Sequence, residues 1–233
     1  MFNIIKKKFN RLINFIYLGN KFRNTFTNEF SFLSDYIPKK PVILEAGAHS
    51  GSDTIRMHYA FPSSIIHSFE PEPHAYQKLL KKTYGYKNIY TYNFALGEKN
   101  ERKRLYTSKD FLDSSSSLLL QTQISQKIHP ELKLDQSIEV DVQTINSWVK
   151  NTNIKKIDFM WLDMQGNELS ALKAAKDILG TVKCIYTEVL LSPIYEGAPL
   201  YDEFKEWMEK EGFVATIEKD RYPEQVNILF VRK

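Results

Sequence analysis

Short apolar runs alternate with amphipathic segments along the chain from residue 38 onward. The runs at 41–47, 157–163 and 182–189 are predominantly apolar, and the run at 64–70 contains Ile65, Ile66 and Phe69. Their length is typical of strands buried in a parallel sheet. Between them lie stretches with helical periodicity that end near glycine or proline. Repeated strand–helix units with short connections predict an open α/β sheet with helices on both faces.

The remaining apolar runs complete the predicted sheet. Residues 89–96 supply a third strand, and 213–217 and 226–231 supply the last two. A short polar turn joins these last two, which favours antiparallel pairing. We therefore predict a Rossmann-like, mostly parallel seven-stranded sheet with an antiparallel last strand. Ligands of such sheets bind beyond the carboxyl ends of the strands, where the strand order reverses.

Two segments depart from the alternating pattern. Residues 1–37 are predicted to form a basic amphipathic helical arm, and 38–233 form the α/β domain. The apolar positions of the arm share a helical face, which suits either packing on the domain or contact with a membrane surface or a partner. Residues 98–137 are less regular and contain four consecutive serines at 114–117. Because about 40 residues are too few for an independent core, we interpret 98–137 as an insertion or lid.

The positive charge of the chain is concentrated in the arm. Residues 1–28 contain six basic and no acidic residues, which leaves 26 basic against 28 acidic residues elsewhere. The rest of the chain is therefore not basic, which disfavours nucleic-acid binding. The single cysteine, Cys184, excludes an intrachain disulfide, and the sequence has neither a membrane-spanning apolar stretch nor a signal-peptide pattern. We expect a cytoplasmic protein, with peripheral membrane contact as an alternative role of the arm.

Acids and glycines stand where the predicted strands end. Gly47 permits a tight turn, and Gly51 opens a helix whose free N–H groups favour an anionic group. Glu70 ends the second strand 23 residues beyond Gly47, where a carboxylate can accept both hydrogen bonds of a ribose diol. His49 stands at the middle glycine of the dinucleotide pattern, so the spacing favours S-adenosylmethionine over a pyrophosphate cofactor. Glu45, just before the turn, can attract the ammonium group of that cofactor.

Several motifs resemble those of the FkbM methyltransferase family. They are LEAGAHSGSDT, SFEPEP, FALG, WLDMQGNEL, YTEVLLSPIYEG and NILFVRK, which together span about residues 42–233. The resemblance implies binding of S-adenosylmethionine and O-methylation, often of sugars or natural-product hydroxyls. It also implies cofactor contacts at Ala95 and Ser116. The family usually has Asp, Asn and Glu where this chain has Glu45, His49 and Gln165.

Three acids are candidates for the general base that assists transfer to a hydroxyl. Asp163, at the end of the fourth strand, is the first choice, Glu188 the second and Glu168 the third. Helix capping is the alternative role of Asp163, and the helix dipole alone favours an acid at Glu168. His49 is either a base or a loop residue bonded to backbone. The other histidines, which we interpret as structural or solvated, are His58, His67, His74 and His129.

Other features leave the reaction partly open. Tyr195 and Trp161 are candidates for lining an acceptor pocket, and the acceptor is expected to be a small molecule, a sugar or a glycan. No cluster of Cys and His has zinc-ligand spacing. Acidic side chains can bind Mg²⁺, but their spacing fixes no ligand set, and we predict no metal. A nicotinamide-dependent oxidoreductase and a non-catalytic binding module with the same fold are the alternative functions.

Overall fold

The computed structural model describes residues 30–108, 116–219 and 222–233. Most of the predicted N-terminal arm lies outside these ranges, so its roles stay predictions. The strands are β1 (Val42–Ala46), β2 (Ile65–Phe69), β3 (Ile89–Tyr92), β4 (Ala95–Leu96), β5 (Glu101–Thr107), β6 (Gln136–Gln143), β7 (Phe159–Leu162), β8 (Cys184–Leu190), β9 (Phe213–Lys219) and β10 (Gln225–Arg232). The α-helices are α1 (Ser52–Ala60), α2 (Pro73–Thr83), α3 (Gln123–Ile128), α4 (Ile145–Thr152), α5 (Glu168–Lys173), α6 (Lys176–Leu179) and α7 (Tyr201–Lys210). None of the helices in the described ranges has the length and apolar character needed to cross a bilayer.

Seven strands form one sheet in the order β3-β2-β1-β7-β8-β10-β9. Neighbouring strands are parallel except at β10, which runs antiparallel to both β8 and β9. This arrangement confirms the predicted mostly parallel sheet with an antiparallel last strand. The strand order reverses at β1, which pairs with β2 on one side and with β7 on the other.

The register of β1 brings three strand ends together. Ala46, the last residue of β1, aligns with Phe69 of β2 and with the last residue of β7. The residues that follow these three positions are Gly47, Glu70 and Asp163. They therefore lie beside one another at the carboxyl edge of the sheet, where ligands of such folds bind.

Hydrophobic residues pack on both faces of the large sheet. Leu44 and Ala46 of β1 belong to a core cluster that includes Trp148 of α4, whereas Ile43 packs in a cluster with Met57 of α1. Successive side chains of a strand point to opposite faces, so these clusters cover the two sides of the sheet. Fully burying one such side chain contributes about 1.5–3 kcal/mol, and the paired clusters hold β1 at the centre of the fold.

Two predicted elements differ from the observed ones. The predicted strand 89–96 is interrupted at Asn93, whose side-chain amide donates hydrogen bonds to two carbonyl groups that follow β2. The predicted helix 167–179 is divided into α5 and α6. Between them the carbonyl of Ala174 accepts a hydrogen bond from the backbone N–H of Asn146, so the helical ladder does not continue.

The segment 98–137 contains β5 and α3 and the start of β6. β6 pairs antiparallel with β5 and parallel with β4, which gives a second, three-stranded sheet. Leu118, which follows the serine run, is buried in a cluster with Leu105 and Ala95. The chain around Leu118 is thereby packed onto this small sheet, next to the carboxyl edge of the large one.

Candidate active site

A first cleft opens at the carboxyl ends of β1, β2 and β7. Its apolar lining includes Ala46, Phe69, Pro71, Ala75, Phe94, Ala95, Leu96, Leu105, Leu118 and Met164. Its polar lining includes Gly47, His49, Glu70, Glu72, Ser116, Asp163 and Asn167. Five of the seven predicted cofactor residues thus line the cleft, and the other two, Glu45 and Gly51, do not. The lining suits a ligand that has an apolar ring and a hydrogen-bonding end.

The glycine turn after β1 packs directly against the end of β7. Gly47 has φ +85°, and a Cβ atom there would lie 1.7 Å from the carbonyl oxygen of Asp163. Only glycine fits such an approach. Gly51, at φ +77°, is the N-cap of α1, and a Cβ atom there would lie 2.7 Å from Leu79 Cδ1. His49 also has a positive φ, +47°, so the turn keeps its backbone close to the cleft.

Glu70 is held in the first cleft by two backbone N–H groups. Its Oε2 accepts a hydrogen bond from His49 N at 2.7 Å, and its Oε1 accepts one from Glu72 N at 2.8 Å. Burial raises the pKa of Glu70 to about 7, although these two hydrogen bonds lower it. Each carboxylate oxygen can accept a further hydrogen bond. Glu70 is therefore placed to receive two ligand donors, and His49 contributes its backbone to this arrangement.

Glu45 lies beneath the turn and not in the cleft. It is 1% exposed, and its Oε2 accepts hydrogen bonds from the hydroxyls of Thr54 and Ser68, both at 2.6 Å. Its Oε1 has no hydrogen-bond partner within the described part of the chain. Burial raises the pKa of Glu45 to about 7, against the two hydrogen bonds, which lower it. In this position Glu45 ties β1 to α1 and β2.

Replacing Glu45 with Gln is expected to stabilise the protein increasingly as the pH rises. The folded pKa of this acid is raised, so its contribution to stability is complete below about pH 4.5 and is lost as the pH rises through about 7. Glutamine keeps the oxygen that accepts from Thr54 and Ser68 and does not ionise. The variant should gain up to about 3 kcal/mol on the wild type between pH 5 and pH 8.

Thermal unfolding of both proteins at the two pH values measures this gain. Glu209→Gln, on the exposed side of α7, controls for the lost negative charge. A melting-temperature difference between Glu45→Gln and wild type that is the same at pH 5 and pH 8 would contradict the raised pKa.

A second cleft adjoins the first at Asp163, which lines both. Its other lining residues are Ser125, His129, Glu131, Leu132, Gln165, Glu188, Ile194, Tyr195 and Gln225. The Asp163 side chain is exposed at this junction, although many protein atoms lie near its carboxylate and displace water. The resulting desolvation raises the pKa of Asp163, against a hydrogen bond from Gln165 and the charge of His49, which lower it. A carboxylate with a raised pKa where two clefts meet is suited to accept a proton.

The other two candidate bases are more deeply buried. Glu188, 7% exposed, lines the second cleft and accepts a hydrogen bond from the Gln225 amide. Burial, together with the charges of Asp163 and Glu168, raises the pKa of Glu188 to about 9. Glu168 lines neither cleft: its Oε1 accepts a hydrogen bond from Met164 N at 2.6 Å, and burial raises its pKa to about 8. Asp163 lines both clefts, whereas Glu188 lines only the second and Glu168 neither, and this position favours Asp163 as the base.

Asn167, His129 and Gln225 are among the polar lining residues that were not identified from the sequence as site residues. Asn167 lines the first cleft and donates a hydrogen bond to a carbonyl of β4 at 2.8 Å; its place in the WLDMQGNEL motif was the available signal. His129 lines the second cleft, with ring nitrogens 3.4 Å from Glu131 Oε1 and 3.6 Å from Glu224 Oε1. Gln225 opens β10, far along the chain from the other site residues, and no sequence motif marks it.

The two predicted aromatic candidates have different positions. Tyr195 lines the second cleft, whereas Trp161 lines neither and packs against Phe30 and Tyr186. A separate question is metal binding: the described part of the chain contains no group of three or more His, Cys, Asp or Glu arranged to hold a metal ion.

Comparison of the sequence with known proteins identifies the family of this chain. Residues 45–215 match the family described as the Methyltransferase FkbM domain. The 2-O-methyltransferase NoeI of Sinorhizobium fredii is 26% identical over 161 residues, 67% of this chain and 66% of that protein. Methyltransferase 1 of Beauveria bassiana is 22% identical over 196 residues, 78% of this chain and 76% of that protein. The solved N-terminal domain of EvdMO1 with SAH bound shares the fold, at a TM-score of 0.51 and 11% identity over 89% of this chain and 80% of that one. The chain belongs to the FkbM family of S-adenosylmethionine-dependent methyltransferases.

Proposed function

We propose that this protein transfers a methyl group from S-adenosylmethionine to a hydroxyl of a sugar, a glycan or another small molecule. The observation that carries the proposal is the position of Asp163, which lines both clefts. A methyl donor in the first cleft and an acceptor in the second would meet beside this carboxylate. The name of the Sinorhizobium relative, a 2-O-methyltransferase, supports oxygen as the accepting atom.

The residues of the first cleft fit S-adenosylmethionine. Each carboxylate oxygen of Glu70 accepts one backbone N–H and can accept one ribose hydroxyl as well. Phe94 and Leu96 supply apolar surface for the purine ring. The backbone of Gly47 lines the cleft beside the end of β7, where the amino-acid part would lie. When bound, the cofactor supplies an electrophilic methyl group on a sulfonium sulfur.

The second cleft provides the groups that an acceptor hydroxyl needs. Asp163 accepts the proton of that hydroxyl, and such a base typically accelerates a reaction by 10²–10⁴-fold. The amides of Gln165 and Gln225 and the hydroxyl of Tyr195 face the same cleft and suit the recognition of further hydroxyl groups. Burial raises the pKa of Glu188 and so favours its protonated form, in which it can offer a hydrogen-bond donor to the acceptor.

Glu70→Gln is expected to weaken the binding of S-adenosylmethionine at least about tenfold. The variant replaces one charged acceptor by an amide donor, and a hydrogen bond to a charged group contributes about 1.5–3 kcal/mol. Isothermal titration calorimetry on wild type and variant measures the change. Glu98→Gln, exposed next to β4, removes the same charge outside the cleft and should bind as the wild type does.

The same wild-type protein is then incubated with S-adenosylmethionine and a panel of monosaccharides, oligosaccharides and other hydroxyl compounds. Formation of S-adenosylhomocysteine together with a methyl ether on the acceptor would establish the function. Absence of cofactor binding by the wild type would refute it. Binding without turnover on any acceptor would favour a non-catalytic module, and binding of NAD alone would favour an oxidoreductase.

A further inference from the structure

Gln165 has an unusual backbone conformation between the two clefts. Its φ is +54°, in the left-handed region that is unfavourable for residues with a side chain. Its carbonyl oxygen accepts a hydrogen bond from Ser117 Oγ at 2.8 Å, and Gly166 after it has φ +95°. An unfavourable backbone conformation held by specific contacts at a cleft points to a role for the side chain that it places.

The side-chain amide of Gln165 has one favourable orientation. The Tyr195 hydroxyl donates to its Oε1 at 2.7 Å. Its Nε2 donates to Asp163 Oδ1 at 2.8 Å and to Glu188 Oε1 at 3.5 Å. Reversing the amide would place its oxygen against the oxygens of both acids, so only the observed orientation gives each acid a donor.

We propose that Gln165 is a positioning residue: oriented by Tyr195, its amide holds the Asp163 carboxylate at the junction of the two clefts and keeps it apart from Glu188. This inference rests on the proposed role of Asp163 as the base. The single NH₂ group supplies one hydrogen to each acid, and because it is neutral it adds no charge between them. A carboxylate in its place would add a negative charge beside Asp163 and remove the hydrogen-bond donor.

Asp163 lies among titratable side chains from several elements of the fold. They are His49, Asp53, Glu70, Glu168 and Glu188. Four of the five are acids, which disfavour the ionised form of Asp163 when they are themselves ionised. The hydrogen bond from Gln165 favours that form. Its loss should therefore move the titration of Asp163 to higher pH.

Three substitutions separate the parts of this arrangement. Gln165→Gly removes the amide and keeps the backbone, because glycine readily adopts the left-handed conformation. Gln165→Glu keeps the shape and the oxygen that accepts from Tyr195 but replaces the donor by an acid. Tyr195→Phe removes the hydroxyl that orients the amide. Gln225→Leu serves as a comparison, since Gln225 donates to Glu188 and not to Asp163.

The first readout is carboxyl ¹³C NMR titration of Asp163 in the protein without ligand, assigned with Asp163→Asn. We expect Asp163 to titrate at higher pH in both Gln165 variants and to a smaller extent in Tyr195→Phe, whereas Gln225→Leu should not move its titration to higher pH. The acidic limb of the kcat profile should move in parallel. At neutral pH the kcat of both Gln165 variants should fall by roughly 10- to 100-fold. Their affinity for S-adenosylmethionine, measured by calorimetry, should stay close to that of the wild type.

Unchanged titration of Asp163 in both Gln165→Gly and Gln165→Glu would overturn the positioning role, whatever the rates are. Lower kcat without a shift of the acidic limb would likewise indicate a merely structural role. If the wild type methylates no acceptor, the proposed function fails, and the NMR titration still decides whether Gln165 holds Asp163.

Discussion

Asp163→Asn is expected to lower kcat for methyl transfer by about 10²–10⁴-fold, the usual contribution of a general base. Asparagine has the same size, and its side-chain oxygen can still accept the hydrogen bond that Gln165 donates at 2.8 Å. The backbone carbonyl that packs against Gly47 also remains. Because only the proton acceptor is lost, the affinity for S-adenosylmethionine should change little, and calorimetry beside steady-state kinetics distinguishes the two effects.

The pH dependence of the reaction provides a second measurement on the same residue. A base acts only when ionised, so kcat should rise with pH through the pKa of Asp163. Desolvation raises that pKa above the ordinary value for Asp, which places the acidic limb at a higher pH than an exposed aspartate would give. Asp163→Asn should abolish this limb.

Two matched variants test whether another acid is the base. Glu188→Gln resembles the protonated form of Glu188, which burial favours, and it should reduce kcat far less than Asp163→Asn does. Glu168→Gln keeps an oxygen that can accept from Met164 N and should also have a small effect. A greater loss of kcat in Glu188→Gln than in Asp163→Asn would transfer the role of base to Glu188.

The strand ends of this fold could be predicted because composition marks them directly. Runs of buried apolar residues end at Glu70 and Asp163, and parallel pairing brings strand ends to one edge of the sheet. The alternation of side chains along a strand also predicts on which face of the sheet the Glu45 side chain lies. That residue is one position from Ala46, which lines the first cleft, so the period of two places its side chain on the opposite face.

The second cleft depends on features that no local pattern reveals. Gln165 and Gln225 come from distant parts of the chain and contact the same acid, Glu188. The left-handed backbone of Gln165 follows from contacts made after folding, including the hydrogen bond from Ser117. The sequence suggested a role for the His49 side chain, whereas in the structure the His49 backbone N–H donates to Glu70. Residue type does not reveal which backbone N–H groups act as donors.

Gly47→Ala is expected to destabilise the protein and to weaken its binding of S-adenosylmethionine about 100-fold or more. The added Cβ would lie 1.7 Å from the carbonyl oxygen of Asp163, and backbone atoms cannot rotate away as a side chain can. The left-handed conformation and the overpacking together should cost about 2–5 kcal/mol. To relieve the clash, the turn after β1 must move away from β7, which displaces the His49 N–H from Glu70.

Gly85→Ala is the matched control for this prediction. Gly85 also has a left-handed backbone, with φ +90°, but a Cβ atom there would meet nothing within 4 Å. It should therefore cost only the conformational penalty of about 1–2 kcal/mol and leave cofactor affinity unchanged. Chemical denaturation measures the stability of both variants, and calorimetry measures their affinity for the cofactor. Together they distinguish the conformational penalty, which both variants share, from the clash, which only Gly47→Ala has. Equal losses of stability and affinity in the two variants would show that the close approach of Gly47 to Asp163 does not shape the first cleft.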